Sequence, residues 1–304
     1  MSASCDPGPE PGPRRRRATI ALPKRCIFCD VEGKLTREDF FPEWFRKLYP
    51  APAGSRGARL NAEATRPEVD PATGRIVVNI VPTSLARPGD LADQTLRVVC
   101  APCNNGWMSR LQEAARPILT PYILGKWPRP TRAGRAVMSS WAAMFAMVIE
   151  FGDEPSAIVP PIEREVFRYD RRPPIGAMVW AGRLAGDLPY WFHRRTLRVT
   201  DDSTEIMVVP NGALTTIVLG HLMLQVYLTT SDLEPIDPVE RADRLGLTIL
   251  WPLRETSPRH HRLPTRDADA IRDLAYAPLN AEMRLGVPMP YVRDLTGFGR
   301  GARG

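Results

Sequence analysis

The chain has 304 residues, 43% of them hydrophobic and 8% aromatic, which excludes a wholly disordered protein and leaves room for about two domains. Its formal net charge is +7 and its pI about 9.4, which favours an anionic partner. The apolar runs Ala136–Ile149 and Leu214–Thr230 fall short of the roughly 18–20 apolar residues a membrane helix needs, so both read as buried parts of a soluble domain.

Residues 1–17 read as a disordered basic tail. Asp6–Pro13 alternates proline with glycine and acids and supports neither a helix nor a ladder. Arg14–Arg17 against Asp6 and Glu10 leave this tail at +2 and the remainder at +5. No secretory apolar segment opens the chain. The cysteine pattern points to a reducing compartment, and the expected location is cytoplasmic.

A first module is expected over residues 18–126. Pro23–Asp30 holds Cys26-Ile27-Phe28-Cys29 and predicts a tight knuckle with backbone N–H groups turned toward sulfur. Lys34–Phe41 predicts a strand leading into Pro42-Glu43-Trp44-Phe45. Trp44, Phe45 and Leu48 are expected to pack on a small core. Residues 50–74, rich in Pro, Ala, Gly and Arg, read as an inserted loop. Arg75–Val81 and Thr95–Val99 read as strands. Asn104–Ala115 reads as a helix, with Trp107, Leu111 and Ala114 on one face and Pro117 and Pro121 ending it.

The proline- and arginine-bearing stretch Trp127–Arg132 marks a boundary, and a second domain is expected over 127–284. Ala133–Phe151 predicts a helix buried almost all round. Ile162–Tyr169 predicts an amphipathic helix started by Pro160-Pro161. Strands are expected at Ala177–Ala181, Tyr190–Val199, Glu205–Val209 and Leu247–Trp251, and a last helix at Asp267–Tyr276. Leu214–Thr229 fits either a strand entering a helix or one long hairpin arm. Residues 285–304 read as a flexible tail. The fold class is therefore α+β, with a mainly antiparallel sheet in the second domain.

Four of the five cysteines stand in two Cys-x-x-Cys pairs, Cys26/Cys29 and Cys100/Cys103, with Cys5 left over in the tail. Two such pairs supply four thiolates, the tetrahedral set that closes a structural Zn2+ site and leaves no open position. Seventy residues, Asp30 through Val99, separate the pairs, which is long for a plain zinc ribbon.

Three stretches in order sharpen this reading: Cys26-x-x-Cys29, Leu35-Thr36-Arg37-Glu38-Asp39-Phe40-Phe41-Pro42-Glu43-Trp44, and Val98-Val99-Cys100-x-x-Cys103-Asn104-Asn105-Gly106-Trp107-Met108-Ser109. Together they resemble the HNH endonuclease family over about residues 22–116. The resemblance implies a zinc-stapled ββα-metal module, a catalytic Mg2+ or Mn2+ held by Glu38 and Asn104, and nucleic acid as partner, DNA first. Asp39 falls where that family places the histidine that serves as general base. An aspartate is a much weaker base, with a pKa near 3.9 against about 6.5 for histidine, and loss of a positioned base costs about 10²–10⁴ in rate. The implied activity is metal-dependent phosphodiester hydrolysis or a degenerate form of it. The alternatives are a noncatalytic zinc-dependent DNA- or RNA-binding protein and a protein-interaction module.

The four histidines, His193, His221, His260 and His261, are expected to be packed or solvated rather than catalytic. Tyr190–Arg195 interleaves aromatics with cations and reads as a half-buried strand before a stacking platform. The methionine-rich run at 138–147 reads as core.

Overall fold

A computed structural model describes residues 24–49, 63–73, 76–82, 94–186, 190–200, 210–233, 237–253, 264–267, 269, 270, 274 and 291–294. The basic tail, Cys5, the strand expected at Glu205–Val209, His260, His261 and most of the helix expected at Asp267–Tyr276 lie outside these residues. The fold is mixed α+β.

The first half is built on a two-stranded antiparallel ribbon, β1 (Leu35–Asp39) and β4 (Thr95–Cys100). Between them come α1 (Glu43–Leu48) and an antiparallel pair, β2 (Glu63–Val69) with β3 (Ile76–Pro82). β2 corrects the loop expected over 50–74. Its composition is poor in strand formers, and pairing to β3 sets its conformation instead. The turn between them is closed locally, where Asp70 accepts from the Ala72 N–H at 2.9 Å and the Thr73 hydroxyl at 2.6 Å. In α1, Phe45 is fully buried while Leu48 faces outward.

After Cys100 the chain makes one π-turn over Cys103–Met108 and continues as α2 (Ser109–Ile123). The helix runs through Pro117 and Pro121, where the sequence predicted its end. A proline inside a helix costs about 3 kcal/mol. Here Leu119, Tyr122 and Ile123 lie beyond Pro117 and are buried, which offsets that cost. Ala115, not Ala114, completes the buried face with Trp107 and Leu111.

The second half follows the expected order closely. α3 (Arg132–Ile149) starts at Thr131, whose hydroxyl accepts from the Gly134 N–H, and Met138 through Ile149 are all buried. A 3-10 segment, Glu150–Ser156, leads to α4 (Pro161–Asp170). The sheet then forms from β5 (Met178–Leu184), β6 (Tyr190–Thr200), β7 (Gly212–Leu219), β8 (Leu222–Thr229), β9 (Thr248–Trp251), β10 (Thr265–Arg266) and β11 (Tyr291–Asp294). Its order is β10-β5-β8-β7-β6-β11, with β9 also on β5. The pairings are antiparallel except for the two-residue β10–β5 contact. β11 lies within the tail predicted at 285–304 and covers the edge of β6. α5 (Pro238–Leu245), capped by Asp237, was not anticipated.

Leu214–Thr229 is a hairpin. Every residue of β7 and β8 is buried, because α3 covers one face of the sheet and α5 the other. Burial on both faces erases the alternation that would have marked a strand. The hairpin turn meets the end of α2. The His221 N–H donates to the Ile123 carbonyl at 3.0 Å, and a Cβ on Gly220 would lie 2.7 Å from that oxygen. Only glycine fits this approach.

One apolar cluster runs from Cys26 through α2, α3 and the sheet to Leu250, so it crosses the boundary predicted near 127. Phe41 stands at this crossing. It is fully buried among Phe45, Phe145, Tyr190 and Phe192, with ring centroids 5.5–6.5 Å away. A buried ion pair adds to it: Glu150, without solvent exposure, meets Arg194 at 3.3 Å, and Arg194 also donates to Ser156. Phe41→Ala is expected to cost about 3–5 kcal/mol, read as the drop in unfolding free energy in urea. A loss below about 1 kcal/mol would show that the two halves do not share this core.

Candidate metal centre and the Glu38 cleft

The two Cys-x-x-Cys turns meet as predicted. The Sγ atoms of Cys26, Cys29, Cys100 and Cys103 all lie within 4.8 Å of one another, and Cys29 Sγ stands 3.5 Å from Cys100 Sγ. These are free thiols, not disulfides. Among the described residues this is the one group of three or more His, Cys, Asp or Glu side chains gathered closely enough for a metal ion. A tetrahedron with metal–sulfur bonds near 2.3 Å has edges of about 3.8 Å, so the cluster is able to close on one ion.

The backbone prepares the site. The Asp30 N–H bonds to the Cys26 carbonyl at 2.9 Å and Asp30 takes a left-handed φ of 53°, which folds the first knuckle tightly. The N–H groups of Phe28, Cys29 and Cys100 point at the Cys26 sulfur, and that of Val31 at the Cys29 sulfur. The Cys103 thiol shares a hydrogen bond with the Cys26 sulfur, which holds Cys26 well below the usual thiol range. The same contact, with burial, pushes Cys103 up; burial pushes Cys29 up as well. A cation among the four sulfurs would release those protons, which is how thiol sites couple metal binding to folding.

The knuckle is seated by rings and by one cation. Phe28 packs edge-on to Trp107 at 4.9 Å, and both meet Phe167 of α4. Arg164 of α4 donates from Nε to the Ile27 carbonyl at 2.8 Å and from Nη1 to the Val159 carbonyl.

Of the other three predicted site residues, Glu38 and Asp39 end β1 and Asn104 lies in the π-turn. Glu38 is 5% exposed and its Oε1 accepts from Gln112 Nε2 at 3.0 Å. Burial first, and the neighbouring Asp39 charge second, push its carboxyl up to about 8, against the opposing pull of Gln112. Asp39 pairs with Arg46 of α1 at 2.8 Å. Asn104 donates from Nδ2 to Thr36 Oγ1 at 3.1 Å and to the Arg37 carbonyl at 3.0 Å. A narrow cleft beside Glu38 and Asp39, walled by Gln112, Trp141, Phe145 and Val148, has room for about one water.

This donor set does not fit a resident Mg2+ or Mn2+. Such an ion wants several charged or carbonyl oxygens at about 2.0–2.1 Å. Glu38 Oε1 is taken by Gln112, Asp39 is held by Arg46, and among the described residues no third Asp, Glu, His or Cys gathers with them. Neither described histidine lines the cleft: His193 stacks on Trp191, and His221 Nδ1 bonds to the Leu184 carbonyl.

Gln112, Arg46 and Arg164 shape these sites and were not singled out from the sequence. Helical spacing carried a signal for Gln112, eight residues after Asn104 and so on the same face of the helical run. Arg46 and Arg164 act through partners far off in sequence or across a turn, which no local pattern shows. The aromatic strand 190–195 is half-buried as expected, but Arg194 points inward to Glu150 rather than to water. The chain matches no family model, no curated protein and no solved structure.

Glu38 should leave a pH signature. Its folded carboxyl near 8 lies above the unfolded value near 4.5, so between those values the folded state holds the extra proton. Stability then falls as pH rises across that window, with a limiting slope of about 1.4 kcal/mol per unit. Urea unfolding at pH 5, 6.5 and 8 should show this decline in the wild type and a flatter profile in Glu38→Gln. Equal slopes in the two proteins would mean that Glu38 is ionised in the folded state.

Proposed function

We propose that residues 24–124 form a zinc-stapled module of the HNH endonuclease type that binds nucleic acid and has lost efficient phosphodiester hydrolysis. The observation that carries this reading is the Asp39–Arg46 ion pair at 2.8 Å, at the position the resemblance assigns to the general base. A carboxylate held by a guanidinium is a poor proton acceptor at neutral pH. The motif order supports the family reading: an antiparallel ribbon, then a helix, with both Cys-x-x-Cys turns at one end. Zinc is the metal that four thiolates suit best, and its role is structural, since the shell has no open position.

The loss of catalysis has a physical account. Asp39 is held by Arg46 and so is a poor base, and the carboxyl that the resemblance makes a ligand is buried and accepts from Gln112 instead. The chain's net charge of +7 supports a nucleic-acid partner over a neutral one.

A nicking assay tests this. Wild-type protein with Mg2+ or Mn2+ should leave supercoiled plasmid intact while retarding it on a gel at low salt. Nicking by the wild type that disappears in Asn104→Ala would overturn the proposal and make the protein an active endonuclease. Absence of any salt-dependent retardation would favour the protein-interaction reading. Asp39→His supplies a base and removes the charge that raises Glu38, and it should create or raise cleavage by about 10²-fold or more. No gain in a variant that keeps its metal would show that Asp39 is not at the base position.

A further inference from the structure

The ribbon carries a feature that the cleft and the cysteine centre leave unused. Between Thr36↔Val99 and Glu38↔Leu96 the register shifts by one, so Arg97 and Val98 together oppose Arg37. This is a β-bulge, a device that re-aims side chains. Its carbonyls are individually tied down. Val98 accepts from the Ile27 N–H at 3.0 Å, Val99 from the Thr36 hydroxyl at 3.0 Å, and Arg37 from Asn104 Nδ2 at 3.0 Å.

Arg37 and Arg97, facing each other across this fixed bulge, are both exposed. Like charges directly opposed on a ribbon destabilise it, so the pairing calls for a counter-charge. Among the described residues neither arginine is in an ion pair. A concave surface of about 380 Å³, open to solvent, adjoins the bulge; Lys24, Lys34, Leu35 and Arg97 line it together with Glu32. Arg37 stands two residues from Leu35 on β1 and so shares its face. The two acids at the border are already engaged: Glu32 with Arg25 at 3.6 Å and Asp39 with Arg46 at 2.8 Å.

We propose that the outer face of the β1/β4 ribbon, with Arg37 and Arg97 at the bulge and Lys24 and Lys34 beside it, is a phosphate-backbone track for nucleic acid. This rests on the nucleic-acid reading above and names the surface that would serve it. It assigns Asn104 a positioning role: its amide holds the bulge carbonyl and thereby fixes Arg37, in place of ligating a cation. The four cations contact phosphates, so binding is independent of base sequence and steeply dependent on salt.

The test is fluorescence anisotropy of a labelled duplex and a labelled single strand, titrated at 50–200 mM NaCl, with metal content checked in each variant. Each phosphate contact contributes about 0.9 to the logarithmic salt slope on duplex DNA. Arg37→Ala/Arg97→Ala should lower the slope by about 2 and weaken binding at least tenfold at the upper salt, equally for unrelated sequences. Lys24→Ala/Lys34→Ala should act in the same direction, while Arg172→Ala, an exposed arginine after α4, should change little. Asn104→Asp replaces the amide donor with a carboxylate; it should weaken binding by lowering the contribution of Arg37, while Asn104→Gln restores part of it. If the wild type binds and both double variants keep its affinity and slope, the track is elsewhere and the nucleic-acid reading survives. If the wild type binds neither strand, both fail together. If it binds phosphatidylserine vesicles through these residues and not nucleic acid, the occupant is wrong.

Discussion

Four sulfurs from segments 70 residues apart converge within 4.8 Å, and the first half of the molecule is arranged around that meeting. One partner turn precedes the ribbon and the other ends it. Closing a loop of this length by a cross-link removes about 4 kcal/mol of unfolded-state entropy. That matters because a two-stranded ribbon alone is marginal in water. A metal at this point would fix the ribbon's ends, and the hydrogen bonds from Ile27 and Thr36 fix its bulge.

The constraint reaches the rest of the chain by contact. Phe28, Trp107 and Phe167 form one ring cluster between knuckle, π-turn and α4. Arg164 binds a knuckle carbonyl from α4, and Phe41 carries the other end of the ribbon into the core with α3 and β6. The shared cluster makes the second half a support for the module, whatever else it does. In the cleft, packing also decides chemistry: burying Glu38 under α2 favours its neutral form, and placing Arg46 on α1 quenches Asp39. The cleft thus sets a buried carboxyl that favours its neutral form beside a carboxylate held by a guanidinium.

Much of this was legible in the residues themselves. The cysteine spacing predicted the cluster, and the long apolar run predicted α3, because both depend on local pattern. The elements that differed depend on distant partners. β2 exists because β3 pairs with it, and α2 passes two prolines because Leu119 and Ile123 are buried beyond them. The β7–β8 hairpin was ambiguous because both its faces are covered. At the candidate site, the motif drew attention to Glu38, Asp39 and Asn104, but not to the side chains that contact them. Gln112, which bonds Glu38, and Arg46, which pairs with Asp39, lie outside the motif.

The most direct measurement is X-ray absorption at the zinc edge on the purified full-length protein, combined with metal content. The account predicts one zinc per chain with a shell of four sulfurs at about 2.3 Å. A shell containing nitrogen or oxygen, or a metal-free protein that keeps its native unfolding transition, would contradict it.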